Sequence, residues 1–141
     1  VFLQRASVAK YDGRLGILSW NTYKILLKIG IVPMVILAIT APFVFRFVLG
    51  SAWEETGEYA KLLAPITMAS FAFSPISHVF NIQNKQRTAF KLEIVYFLVL
   101  VLCFLIGTLY QSAYISICLY SFGGAIFVGV RTYFALRIAA I

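Results

Sequence analysis

Ile94-Val95-Tyr96-Phe97-Leu98-Val99-Leu100-Val101-Leu102-Cys103-Phe104-Leu105-Ile106 is an apolar run with no charge, no proline and no polar face. It lies inside a longer uncharged stretch, the 37 residues between Glu93 and Arg131. An α-helix rises about 1.5 Å per residue and bilayer hydrocarbon is about 30 Å thick, so about 20 helical residues cross it. The uncharged stretch would reach about 55 Å as one helix, too long for a single crossing. It therefore folds back, and Tyr110-Gln111-Ser112 is its clearest polar break.

Outward from that run the same arithmetic applies twice more. Lys28 to Arg46 encloses 17 uncharged residues, and Lys61 to Lys85 encloses 23, with His78 the one ionisable side chain among them. Each is one crossing. The expectation is an all-α polytopic membrane protein with four transmembrane helices. With 62% hydrophobic and 12% charged residues, the composition excludes a disordered chain and argues against a water-soluble domain.

The net charge of +7 follows this topology and gives no reason to invoke nucleic acid. When the connections are placed alternately on two sides, ten of the twelve Lys and Arg residues fall on one side: Arg5, Lys10, Arg14, Lys24, Lys28, Lys85, Arg87, Lys91, Arg131 and Arg137. The positive-inside rule makes that side cytoplasmic. The expected organisation is the end of a preceding helix with a basic interfacial segment over 1–25, then a span at 26–49. An extracytoplasmic acidic loop follows at 50–58, a span at 59–82, a cytoplasmic turn at 83–88 and a span at 89–110. A hinge at 111–112, a span at 113–136 and a tail at 137–141 complete it, with both ends inside. Val1-Phe2-Leu3 reads as the tail of an earlier apolar element, so the chain is expected to be part of something larger. A helix from about Arg14 should run along the inner interface into the first span.

The polar residues inside the spans are few and patterned. Thr67, Ser70, Ser74, Ser77, His78 and Asn81 recur at intervals of mostly three and four, within an arc of roughly 100° at 100° per residue. Polar groups at membrane depth face protein or water. Two readings stand: a close-packing seam of small hydroxyls that bond back to the backbone, or the wall of a water-lined pathway, which suits the larger His78 and Asn81. Pro75 after Ser74 predicts a kink in mid-span. Arg46, one turn before Gly50, either snorkels to the interface or faces a cavity. The candidate cavity residues are Arg46, Ser70, Ser74, His78 and Asn81. Glu93 is expected to pair locally with Lys91 or Arg87. Ser121, Ala125 and Gly129, four apart, with Gly123 and Gly124 beside them, suit close packing of the last span on another helix.

Catalytic chemistry is missing from the pattern. There is no phosphate-cradling Gly-rich loop, no aspartate pair to hold a metal and no Ser/His/Asp or Cys/His set. Cys103 and Cys118 read as small packing residues. Neither an enzyme nor a bound cofactor is expected.

One further pattern carries a resemblance. It comprises Val1-Phe2-Leu3-Gln4-Arg5-Ala6-Ser7, Ile29-Gly30 with Pro33, and Pro42-Phe43-Val44-Phe45 leading to Phe47-Val48-Leu49-Gly50-Ser51-Ala52-Trp53. Gly57-Glu58-Tyr59, Ala64-Pro65, Phe73-Ser74-Pro75-Ile76-Ser77 and Asn84-Lys85-Gln86 follow. From end to end this order resembles the C-terminal part of a polysaccharide biosynthesis flippase of the O-antigen type, in the multidrug/oligosaccharidyl-lipid/polysaccharide exporter superfamily. Thr56 departs from the small alanine usual before that glycine. The resemblance implies a parent of two six-helix lobes around a central cavity, this chain being the last four helices of the second lobe. It implies a bacterial inner-membrane exporter that passes a polyprenyl-diphosphate-linked oligosaccharide through a polar cavity by alternating access, its partners being membrane lipid, that substrate and the missing N-terminal lobe. A cation-coupled multidrug antiporter of the same superfamily would be expected to carry a carboxylate in mid-span, and this stretch shows none. A non-transporting scaffold subunit, its stripe binding partner helices, is the alternative of a different class.

Overall fold

The computed structural model describes residues 2–141, apart from the side chain of Leu3. Val1, the first residue of the expected helix remnant, lies outside them. Among the described residues the secondary structure is α-helix with one 3-10 turn, and no strand occurs. α1 is Phe2–Tyr11, α2 Leu15–Leu49, α3 Glu54–Leu62, α4 Ala64–Phe73, α5 His78–Ile82, α6 Gln86–Leu109 and α7 Ala113–Ala139, with the 3-10 turn at Ser51–Trp53.

α2, α6 and α7 are each long and apolar enough to cross a membrane, and the chain from Ser51 to Ile82 makes a fourth crossing if its bent halves count as one span. Only 11%, 11% and 17% of the most apolar windows of α2, α6 and α7 are buried. Ile29, Ile36, Ile39, Phe43 and Phe47 of α2 and Phe97, Leu98, Leu102 and Leu105 of α6 are exposed. A water-soluble chain does not display apolar area on that scale; lipid accepts it. The molecule is an all-α polytopic membrane protein.

α2 begins beside the expected Arg14 and runs unbroken through Pro33 and Pro42. Asp12 and Gly13, with Gly13 at φ +66°, turn the chain between α1 and α2. A short turn at Gln83–Lys85, with Asn84 in the left-handed region, leads into α6. Gln111, also left-handed at φ +50°, turns the chain between α6 and α7 at the polar break read from sequence. Ser112 then caps α7, its hydroxyl accepting from the Ile115 amide at 3.3 Å.

Two features differ from the sequence expectation. The acidic stretch 50–58 is helical from Ser51 onward. Glu54 and Glu55 fall in the first turn of α3, where carboxylates favour the positive end of the helix dipole. Gly50, at φ +99°, makes the reversal. Gly57 does not turn the chain but lets α3 lie against α2, since a Cβ there would meet Ala41 O at 2.9 Å and the backbone of Pro42. The main bend is also elsewhere. The axis turns by 48° at Leu63, between residues 51–62 and 64–82. Pro65 has no amide to offer the Lys61 carbonyl, so the helix tightens and stops: the Leu63 amide donates to Tyr59 O at 3.1 Å and Ala60 O at 3.2 Å. At Pro75 the chain forms a tighter turn, with i→i+3 bonds from the amides of His78, Val79 and Phe80.

α4 packs on α2 and α7, and α6 lies along α7. Ile66, Phe73, Ile76, Val79 and Phe80 form the centre of the core with Val128, Ala135 and Ala139 of α7, joined by Leu15 and Ala6. The close approach along α7 uses Gly124, where a Cβ would collide with the Ile66 side chain, and the buried Ser121. Gly129 faces open space. At the far end, a Cβ on Gly107 of α6 would stand 2.8 Å from Ser116 Cα.

Candidate functional site

The core dictates what α4 and α5 expose. With Ile66, Phe73, Ile76, Val79 and Phe80 buried toward α7, the opposite side of the segment carries Thr67, Ser70, Ser74, His78 and Asn81, all exposed, and Ser77, half-buried. The stripe read at 100° per residue stays continuous through the turn at 74–77. Three i→i+3 bonds overwind the chain only slightly, so His78 and Asn81 remain on the side of Ser70 and Ser74.

The six polar residues fall into two groups. Thr67 Oγ1 donates to Leu63 O at 2.9 Å and Ser77 Oγ to Ser74 O at 2.7 Å, so both hydroxyls are occupied by their own helix. Ser70, Ser74, His78 and Asn81 make no side-chain hydrogen bond within the described residues. An imidazole, an amide and two hydroxyls therefore face outward along three to four turns of helix. Phe71 lies beside them, also exposed, with its ring against Gly30 of α2.

Arg46 is not part of this group. It sits in the last turn of α2, where Nη1 is 3.3 Å from Glu54 Oε2 of α3 and both side chains are at least half exposed. About 24 residues of largely helical chain separate Glu54 from His78, on the order of 30 Å. An ion pair this exposed contributes little to stability; it ties the end of α2 to the start of α3. Ser70, Ser74, His78 and Asn81 are brought together, and Arg46 stands apart.

A second polar locus was not foreseen. Glu93 of α6 pairs with Arg131 of α7, 38 residues away, and not with the local Lys91 or Arg87 of the sequence reading. The Arg131 side chain is only 14% exposed and that of Glu93 51%. The guanidinium lies 4.7 Å from the Phe73 ring and 5.5 Å from the Tyr96 ring, which gives it two aromatic faces besides its carboxylate. This one side chain joins α4, α6 and α7 just behind the stripe. The signal available in sequence was a charge inside each of two apolar helices, but nothing local said that they meet. Among the described residues no group of three or more His, Cys, Asp or Glu side chains could hold a metal.

No known protein family, curated protein or solved structure matches this chain. The fold and the stripe define the class: a multi-pass helical membrane protein in which one crossing shows a polar side.

Proposed function

We propose that this chain is the C-terminal part of a flippase that moves polyprenyl-diphosphate-linked oligosaccharide across a bacterial cytoplasmic membrane, with Ser70, Ser74, His78 and Asn81 on the cavity wall. The observation that carries this reading is the outward-facing polar stripe on α4–α5, set among α2, α6 and α7, whose exposed sides at mid-span are apolar. Hydroxyl, amide and imidazole groups are the chemistry that exchanges hydrogen bonds with sugar hydroxyls and with water. Polar groups at membrane depth that have no partner within their own chain require one from a water-filled path or from another helix. The order of motifs described above supports the choice of transporter. The bend at Leu63 and the turn at Pro75 give this crossing two places where it can change shape, as alternating access requires. In this reading the cationic connections and both ends of the chain lie in the cytoplasm.

Arg46 has a smaller role. It stands at the rim, paired with Glu54, where it can attract an anionic diphosphate as that pair opens.

The test is cysteine accessibility in the full-length protein, with Cys103 and Cys118 replaced by alanine. Cysteines at 70, 74, 78 and 81 should react with a membrane-impermeant thiol reagent, and those at the buried positions 73 and 79 should not. Uniform protection of the first four would identify a helix-packing seam and overturn the cavity. In cells, His78→Ala with Asn81→Ala should reduce surface polysaccharide while leaving protein levels unchanged.

A further inference from the structure

α2 is 35 residues long, about 52 Å at the helical rise, against about 30 Å of hydrocarbon. The uncharged residues between Lys28 and Arg46 fill that thickness. Lys28 therefore marks its edge, and the helix before it rises through the headgroup layer. On that portion Asn21, Lys24, Ile25 and Lys28 share one side and line a notch of about 300 Å³. Neither lysine has a carboxylate partner: the ion pairs among the described residues are Arg46–Glu54, Lys61–Glu58 and Arg131–Glu93. Lys24 Nζ stands 5.4 Å over the Trp20 ring, and Trp20 stacks on Tyr23 at 6.2 Å. An aromatic pair of this kind belongs at the headgroup level. Below the notch on the same side of the helix runs an exposed apolar ridge, Ile29, Val32, Ile36, Ile39 and Phe43.

We propose that this side of α2 seats an anionic glycerophospholipid. Lys24 and Lys28 hold the phosphate between them, the Asn21 amide donates to a headgroup oxygen, and one acyl chain lies along Ile25 and the ridge beneath it. The charge pattern selects the occupant. Two cations without counterions sit where lipid phosphates lie, and the apolar track starts directly under them, as in the lipid itself. A zwitterionic lipid brings its own ammonium, which the two lysines repel. The inference stands apart from the flippase reading, since it needs only that α2 crosses the bilayer.

Native mass spectrometry tests it on the full-length protein released from membranes containing phosphatidylglycerol and phosphatidylcholine of matched chains. Phosphatidylglycerol should be retained over phosphatidylcholine by roughly tenfold, given two lysines at an anionic headgroup. The preference should vanish in K24Q/K28Q and survive in K24R/K28R, which keeps the charge and guards against misfolding as the cause. It should also survive in K85Q/K91Q, which removes two cations from a different connection. Equal retention of both lipids by the unmodified protein, or a preference that persists in K24Q/K28Q, would overturn the site. So would an equal loss in K85Q/K91Q, which would assign the effect to net charge.

Discussion

α6 and the α4–α5 segment each turn one side away from the other helices, and the two sides differ in kind. α6 shows Phe97, Leu98, Leu102 and Leu105 from an unbroken helix. α4–α5 shows Ser70, Ser74, His78 and Asn81 from a chain that bends by 48° at Leu63 and turns again at 74–77. Burial alone would not separate them, because both sides are exposed. Chemistry does: one is matched to acyl chains, the other to water or to a polar partner. Regular helix goes with the first and interrupted helix with the second, as expected where backbone freed by proline finds polar surroundings.

The sharpest way to break this contrast is to place the same cation on each side. Leu102→Arg should impair membrane insertion by roughly 2.5–3.5 kcal/mol, the translocon value for arginine at mid-span. Ser70→Arg should impair it by less than half as much, scored as the inserted fraction in a glycosylation-tag assay. Equal penalties would mean that both sides meet lipid. Next in size is the seam holding α6 in place. Gly107→Val must push α6 off Ser116 and should lower stability by about 2–3 kcal/mol in thermal unfolding in detergent. Gly129→Ala, facing open space on α7, should stay within about 0.5 kcal/mol.

The Arg131–Glu93 pair predicts an asymmetry. Glu93→Gln leaves a nearly buried cation with only Phe73 and Tyr96 beside it, and should lower stability by about 1–2 kcal/mol. Arg131→Met fills the same space and leaves a half-exposed carboxylate that can find water, so its effect should stay below about 1 kcal/mol. The reverse order in thermal unfolding would show that Glu93 is the more deeply buried partner. An effect as small as that of Gly129→Ala belongs to the stripe itself. Ser70→Ala and Ser74→Ala remove hydroxyls that make no hydrogen bond among the described residues, and stability in thermal unfolding should change by no more than about 0.5 kcal/mol. A larger loss would mean that these hydroxyls are packed against a helix.

How legible each element was depends on how local its cause is. The lengths of the apolar runs marked out α2, α6 and α7, and Gln111-Ser112 marked the turn between the last two. The arc of Ser70, Ser74, His78 and Asn81 followed from helical periodicity and coincides with what the core leaves exposed. The acidic stretch 50–58 reads as a loop, whereas Glu54 and Glu55 begin a helix whose Gly57 fits against Pro42. Pro75 predicts the bend, yet the 48° turn of the axis falls at Leu63, since Pro65 at the start of α4 deprives the preceding helix of an amide at its last turn. Arg131 with Glu93, and Arg46 with Glu54, are matters of tertiary contact. No spacing along the chain encodes them.

The turn at Tyr110-Gln111-Ser112 bears on how the protein enters the bilayer during synthesis. α6 and α7 are joined by a link with no charge, and Gly107 against Ser116 closes the pair right up to that link. The two helices can thus be inserted together as one hairpin whose tip carries no ion through the hydrocarbon. The cations that resist passage, Lys85, Arg87 and Lys91 on one limb and Arg131 and Arg137 on the other, all stay on the side where the hairpin began.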